Sequence, residues 1–264
     1  MTCIKDLIQN CDSFKISRLD LELLIAHVQD CCRTKLYSHP EETLSGVKLK
    51  KLKGLISKRS KGVPLAYLTN HKEFHGLDFY VDERVLIPRP ETEMIVDKAL
   101  RLKPSTLLDI GVGSGTIALT VAVKFPACSV AAVDISQDAL DVAEHNSERF
   151  DVDVKLIKSD LVTEIPVNSH FDIITANLPY IGELDQFEPS EPGLALFAGQ
   201  DGLDLYRQLF DQLKAKNITF GTLLGEFGFG QEQAIIQLLK EHFAESFEIR
   251  QDLAGIPRMF VITQ

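Results

Sequence analysis

The sequence has no apolar run near the roughly eighteen residues a membrane span needs, no Cys-x-x-Cys pair, and fewer basic than acidic side chains. Each absence closes off a class of protein. Without a long apolar run no membrane anchor is expected. Met1 to Asn10 carry Lys5 and Asp6 in a short amphipathic pattern rather than the apolar core of an export signal, so a cytoplasmic protein with no membrane partner is expected. The five cysteines, at 3, 11, 31, 32 and 128, are odd in number, and adjacent Cys31-Cys32 cannot frame an ordinary disulfide scaffold. Free thiols in a reducing compartment follow. Lys and Arg number 28 against 38 Asp and Glu, a formal charge of -10 with a pI near 5.2. That balance opposes general attraction to a phosphate backbone and argues against nucleic acid as the substrate. His71-Lys72-Glu73-Phe74-His75 spaces two histidines four apart, but the zinc-protease pattern needs glutamate where Lys72 stands, so no metal is expected.

What is present is a chain of 264 residues at 45% hydrophobic content, enough for one full α/β domain and a smaller appended module. From Cys3 to about Gly62 the pattern is helical. Its clearest stretch is Ser17 to Val28, whose apolar positions three and four apart form one buried stripe. The last helix of this part carries Lys48, Lys50, Lys51, Lys53, Lys58, Arg59 and Lys61 with no acid, and reads either as a solvated face or as a dock for an acidic partner. Between Pro64 and Pro90 the period shifts toward two, in Leu77 to Asp82, with His75-Gly76 as a turn, which predicts a β-hairpin linker. From Glu91 onward helix and strand alternate. Helices are predicted over 91–102, 115–124, 136–149, 201–214 and 231–242, and strands over 106–110, 129–134, 153–157, 171–176, 219–225, 246–250 and 257–263. Such alternation specifies a mostly parallel sheet with helices on both faces and ligands beyond the carboxyl ends of its strands. The expected organisation is a helical module over 1–63, a hairpin linker over 64–90 and a catalytic α/β domain over 91–264.

The first strand of that domain, Thr106 to Ile110, runs into Gly111-Val112-Gly113-Ser114-Gly115 before the helix opened by Thr116. Glycines at a strand end let the backbone turn sharply and bring a ligand close to main-chain amides. A dinucleotide fingerprint needs its third glycine at 116, where threonine stands, so that reading fails on spacing. Gly-x-Gly-x-Gly after the acidic strand end at Asp109 instead resembles the first motif of the Rossmann-like, class I methyltransferases. The next strand ends at Asp134, a carboxylate suited to both ribose hydroxyls of a nucleoside, and Ser159-Asp160-Leu161 follows the third, with Asp160 placed to accept from an adenine amino group.

The strand Phe171 to Ala176 delivers Asn177-Leu178-Pro179-Tyr180 to the same edge of the sheet. Asn177 offers a side-chain carbonyl, the backbone near Pro179 a second acceptor, and Tyr180 a flat ring against a planar group. An NH2 group has two hydrogens to give, and two fixed acceptors orient its nitrogen toward an incoming methyl. An ordinary Asn-Pro turn is the bland alternative.

Beyond these two loops, the segments Pro64-Leu65-Ala66-Tyr67-Leu68, Glu73-Phe74-His75-Gly76, Ile87-Pro88-Arg89-Pro90-Glu91-Thr92-Glu93 and Asp252-Leu253-Ala254-Gly255 complete a pattern. Together with Asp109 to Gly115, they make the chain resemble the release-factor glutamine N5-methyltransferases, the HemK-like proteins, over essentially its whole length. The resemblance implies S-adenosyl-L-methionine as cofactor, leaving as S-adenosyl-L-homocysteine. It implies peptide-chain release factors as protein partners, engaged by the amino-terminal module, and methylation of the glutamine side-chain amide in their Gly-Gly-Gln tripeptide. It also places Phe74 at the substrate pocket, although a hairpin core aromatic explains that residue equally well. The site residues so implied are Asn177, Pro179 and Tyr180 for catalysis, with Phe74 and Leu178 beside the substrate. The cofactor set is Asp109, Gly111, Val112, Gly113, Ser114, Gly115, Asp134, Asp160, Leu161 and again Asn177. One position departs from the family's usual pattern, which has proline at both central positions of Asn-Pro-Pro-Tyr where this chain has Leu178 first; the freed φ costs about 0.4 to 1 kcal/mol of preorganisation.

Two other readings compete. An adenine-N6 methyltransferase for DNA or RNA presents the same two donors on a flipped base, but acidity and the Ile87 to Glu93 run stand against it. A non-catalytic nucleotide-binding protein keeps the fold without a need for Asn177 and Tyr180. A monomer acting on protein, with no direct nucleic-acid substrate, is the expectation carried forward.

Overall fold

The computed structural model describes residues 2–182, 190–244 and 246–264, and the chain divides into two compact units, Met1–His71 and Lys72–Gln264. The first unit runs β1 (Thr2–Cys3), α1 (Ile4–Gln9), a 3-10 turn, α2 (Arg18–Gln29), α3 (Arg33–Ser38), β2 (Thr43–Leu44), α4 (Gly46–Arg59) and α5 (Leu65–Thr69). Helix α2 starts where the sequence supplies a cap: the Ser17 hydroxyl accepts the Asp20 N–H at 3.0 Å, satisfying one of the orphan donors of the first turn. Its apolar stripe, Leu21, Leu24, Ile25 and Val28, is buried against Ile4, Leu36, Leu44, Leu52 and Ile56. Glu22 on the same helix is also buried, and its carboxylate accepts from Arg18, Arg33 and Tyr37, which ties α2 to α3.

Two expectations for this part need correction. The stretch from Cys3 is not helical throughout, because Thr2 and Cys3 pair antiparallel with Leu44 and Thr43. A ladder of two residues is too short to print an alternation in the sequence. Residues 65–69, expected in the hairpin linker, form α5 and bury Leu68 in the core of the first unit. The hairpin itself is shorter, β3 (Lys72–Phe74) paired with β4 (Leu77–Phe79), and belongs to the second unit.

The second unit continues through α6 (Glu93–Leu102), β5 (Thr106–Ile110), α7 (Thr116–Lys124), β6 (Ser129–Asp134), α8 (Gln137–Phe150), β7 (Lys155–Lys158), β8 (His170–Ala176), α9 (Asp204–Ala215), β9 (Thr219–Glu226), α10 (Glu232–Phe243), β10 (Phe247–Gln251) and β11 (Pro257–Thr263). Among the described residues its sheet has seven strands in the order β10-β11-β9-β8-β5-β6-β7. The five strands from β9 to β7 in that order are parallel, and β11 and β10 close one edge antiparallel. This is a Rossmann-like class I methyltransferase sheet. Leu108, Ile110 and Leu223 point into one core with Tyr206, Phe210 and Phe260, while Leu107 and Leu224 point into the other with Ile95, Ile117 and Val121. Neighbours along one strand thus serve opposite faces, which is the period-two rule of a sheet covered on both sides. The chain leaves β5 for β6 and β7 on one flank and returns to β8 on the other, so the strand order reverses at β5 and opens a crevice at the carboxyl ends of β5 and β8.

Candidate active site

The crevice is a cavity of about 470 Å³, within the ordinary range for a small-molecule site. Its floor is the turn after β5. Gly111 leaves the strand with φ +79, and a Cβ there would stand 3.3 Å from Leu178 Cδ2, so glycine lets the two loops close on each other. The N–H groups of Gly111 and Val112 both donate to the Val133 carbonyl, at 2.9 and 3.0 Å, which stitches the turn to β6. At Gly113, φ +53, a Cβ would meet nothing within 4 Å, so bare backbone faces open space on the cavity wall. Gly115 serves packing instead: with φ +87, its Cβ would fall 2.5 Å from Leu119 Cδ1 at the start of α7.

Asp134, at the end of β6, accepts the Gly113 N–H at 3.0 Å on Oδ2 and the Ser136 N–H at 2.9 Å on Oδ1. A carboxylate has about four lone-pair sites, so acceptor capacity remains for a hydroxyl of a ligand in the cavity. Burial pushes this carboxyl above its ordinary value, and the backbone N–H groups of Gly113, Ser136 and Ile135 work against that rise. Val112, Ser114, Asp160 and Leu161 also line the wall, with Asp160 exposed just beyond β7. A half-buried bare backbone facing open space, a carboxylate with spare acceptor capacity and a second acid one strand over suit a nucleoside-bearing group.

On the facing side, Asn177, Leu178 and Pro179 line the cavity directly after β8. Asn177 Nδ2 donates to Thr92 Oγ1 at 3.0 Å, and Thr92 Oγ1 donates to Glu226 Oε2 at 2.7 Å. Asn177 Oδ1 is buried and has no hydrogen-bond partner among the described residues. A buried carbonyl left unpaired costs about 1 to 3 kcal/mol, so an arriving N–H donor recovers that cost. Leu178 is buried and packs into the core against which α9 lies, filling the place where proline was expected.

Four residues predicted for the site are not on its wall. Asp109 is buried behind the glycine turn, where its carboxylate accepts from Thr175 Oγ1 at 2.7 Å and from the Ala118 N–H at 3.3 Å. Burial pushes it up to about 7, and its geometry braces β5 against β8 and α7. Gly115 sits beneath the turn. Tyr180 turns its hydroxyl to Glu226 Oε1 at 3.4 Å, and burial raises that phenol well above its ordinary value. Phe74 is buried in the hairpin core, edge-on to Phe79 with ring centroids 6.1 Å apart. The sequence could not separate a pocket aromatic from a core one here; hairpin pairing with Leu77 turns the ring inward.

The sequence reading missed Thr92 and Glu226 as parts of the site. Thr92 lay inside a segment singled out by pattern and Glu226 one residue past a predicted strand, but only the sheet brings the end of β9 beside residue 92. It also missed Glu191, which is buried and accepts from the Ile87 N–H at 3.1 Å and from Arg89, pinning the run before α6 at the cavity rim.

Two family models match this chain: the PrmC N-terminal domain over residues 10–69 and the methyltransferase small domain over residues 91–188. The release factor glutamine methyltransferase of Koribacter versatilis (strain Ellin345) is 37% identical over 254 residues, covering 92% of this chain and 90% of that relative. The chain belongs to the release factor glutamine methyltransferases. The family member from Streptococcus pneumoniae (strain ATCC BAA-255 / R6) is 41% identical over 209 residues, covering 75% of this chain and 74% of its own length. Among solved structures, a methyltransferase from Pyrococcus furiosus matches with TM-score 0.55 at 18% identity, over 73% of this chain and 91% of that one. A 16S rRNA methyltransferase of T. thermophilus in complex with AdoMet and guanosine matches with TM-score 0.54 at 17% identity, over 74% of this chain and 50% of that one. At such identities the likeness is one of fold. Among the described residues no helix is long and apolar enough to cross a membrane.

Proposed function

We propose that this protein transfers a methyl group from S-adenosyl-L-methionine to the side-chain amide nitrogen of the Gly-Gly-Gln glutamine in peptide-chain release factors. The observation that carries this reading is the unpaired Asn177 Oδ1 beside a cavity floored by the glycine turn. Gly113 and Asp134 fit a nucleoside, as argued above, and Asp160 and Leu161 flank the same space. Bound there, the cofactor supplies an electrophilic methyl on a sulfonium centre and leaves as S-adenosyl-L-homocysteine.

An amide nitrogen is a poor nucleophile because its lone pair is delocalised into the carbonyl, and no side-chain base ionises it near neutral pH. Positioning therefore carries much of the rate. Asn177 Oδ1 accepts one amide hydrogen and the Pro179 carbonyl accepts the other, so the nitrogen faces the methyl donor. Leu178 holds the loop down by its burial, and Tyr180 supports the far side through Glu226 rather than stacking from the wall. The surplus proton departs to solvent.

The first unit is read as the release-factor recognition domain, the hairpin over 72–79 as part of the catalytic unit, and the compartment as the cytoplasm, where translation runs. Among the described residues, those lining the cavity all belong to the second unit of one chain, so a monomer suffices. The test is methyl transfer from labelled cofactor to purified release factor, to its Gln→Ala variant and to an adenine-containing oligonucleotide. Label in the first alone is expected; label in the oligonucleotide would move the reading to adenine-N6 chemistry.

A further inference from the structure

The loop that carries Asn177 is steered by groups outside it. Glu226, at the end of β9, is buried, and its two carboxylate oxygens engage both side chains that flank the turn: Oε2 takes the Thr92 hydroxyl at 2.7 Å and Oε1 the Tyr180 hydroxyl at 3.4 Å. Thr92 is buried as well, and its oxygen meets Asn177 Nδ2 at 3.0 Å. A hydroxyl has one proton to give. When Thr92 spends it on the carboxylate, only its lone pairs face Asn177, so the NH2 end of that amide must turn to Thr92 and Oδ1 is left as the unpaired end.

We propose that Glu226 and Thr92 are positioning residues that fix the amide orientation of Asn177, and that protonation of Glu226 reverses it and switches the site off. The inference rests on the function proposed above. With a proton on Glu226, the carboxylic acid donates to Thr92 Oγ1. The threonine hydroxyl is then free to donate toward Asn177, which satisfies Oδ1 only if the amide turns over. The cavity is then met by Nδ2 hydrogens, and a glutamine NH2 arriving there finds a donor facing a donor.

The groups around Glu226 allow this change within the working pH range. Burial raises its carboxyl to about 7; the Thr92 hydrogen bond lowers it, Glu91 raises it, and Arg258 and the Tyr180 hydroxyl lower it. From α9, the Tyr206 hydroxyl donates to the Glu226 backbone carbonyl at 2.6 Å and holds the end of the strand, not the carboxylate. The ionised, active arrangement is thus lost as pH falls through the raised value, and the rate should rise across it on the alkaline side.

The experiment uses the full chain with release factor as acceptor, and compares the parent, Thr92→Val, Thr92→Ser and Glu226→Gln for kcat and KM between about pH 5.5 and 8.5. Cofactor affinity is measured by calorimetry alongside. Thr92→Val keeps shape but removes the hydroxyl, and is expected to lower kcat by roughly ten- to a hundred-fold, the scale of a misplaced reacting group. Thr92→Ser should restore most of that loss, and Glu226→Gln should abolish the acid limb of the kcat profile. Equal kcat in Thr92→Val and Thr92→Ser would overturn the proposal, as would an acid limb that persists in Glu226→Gln. If Glu226→Gln does not fold, the threonine pair decides alone. A parent that fails to methylate release factor at all overturns the function reading and the relay with it; an active parent with indistinguishable threonine variants overturns the relay only.

Discussion

The loop after β5 and the loop after β8 face each other across one cavity, and they handle their polar groups in opposite ways. After β5 the main accounts close within the chain: Gly111 and Val112 share the Val133 carbonyl, and Gly113 and Ser136 engage both oxygens of Asp134. After β8, Asn177 Oδ1 is buried with no hydrogen-bond partner among the described residues, although its own NH2 end is tied down. The first loop is a finished cradle whose shape is set before any ligand arrives. The second holds one unmet hydrogen bond in reserve, which is what a site that must orient a weak nucleophile needs, since binding then repairs a defect already present.

The sharpest way to break the contrast is Asn177→Ala. Removing the open acceptor is expected to lower kcat on release factor by roughly 10² or more, with cofactor affinity in calorimetry little changed; a parent-like rate would mean the unpaired oxygen has no part in the reaction. Asp134→Ala attacks the other loop. It removes acceptors from the cradle and should weaken cofactor binding about ten- to a hundred-fold, the effect of losing charge-assisted hydrogen bonds of roughly 1.5 to 3 kcal/mol. Unchanged affinity would take the ribose role from that carboxylate.

A smaller effect separates bracing from binding. Asp109 has its carboxyl raised by burial to about 7 in the folded protein, so the folded state holds a proton that the unfolded chain has released at lower pH. Stability from this group is therefore lost as pH rises from near 4 through about 7, and Asp109→Asn should flatten that slope in urea titrations of the parent and variant at about pH 5 and 8. Identical slopes would show that Asp109 does not titrate in this window. Smallest of all, Phe74→Leu is expected to cost under about 1.5 kcal/mol and leave kcat within roughly two-fold, because its ring packs on Phe79 and not on the cavity. A large fall in kcat at parent stability would return Phe74 to the substrate.

Much of this molecule could be read before folding it. The alternation after Glu91 gave the parallel sheet because a sheet buried on both faces needs apolar strands separated by amphipathic helices. The glycine turn and the Asn177 tetrapeptide were legible because each is a local device, complete within a few consecutive residues. What the sequence hid was pairing at a distance. Thr92 and Glu226 lie 134 positions apart, and nothing in either segment announces that β9 ends beside the turn before α6. Direction was hidden too: Asp109 and Phe74 have the right chemistry for a site, yet the bonds Asp109 makes to Thr175 and Ala118 and the hairpin pairing of Phe74 turn them away from it, while Tyr180 spends its hydroxyl on Glu226. The short pieces Thr2–Cys3 and Leu65–Thr69 escaped because two or five residues hold too little periodicity to identify.

Peptide mapping of a release factor after incubation with this protein and S-adenosyl-L-methionine tests the central claim most directly. The account predicts a single methyl on the side-chain amide of the Gly-Gly-Gln glutamine, absent when Asn177→Ala replaces the parent. A methyl found on any other residue, or none with the parent protein, would contradict it.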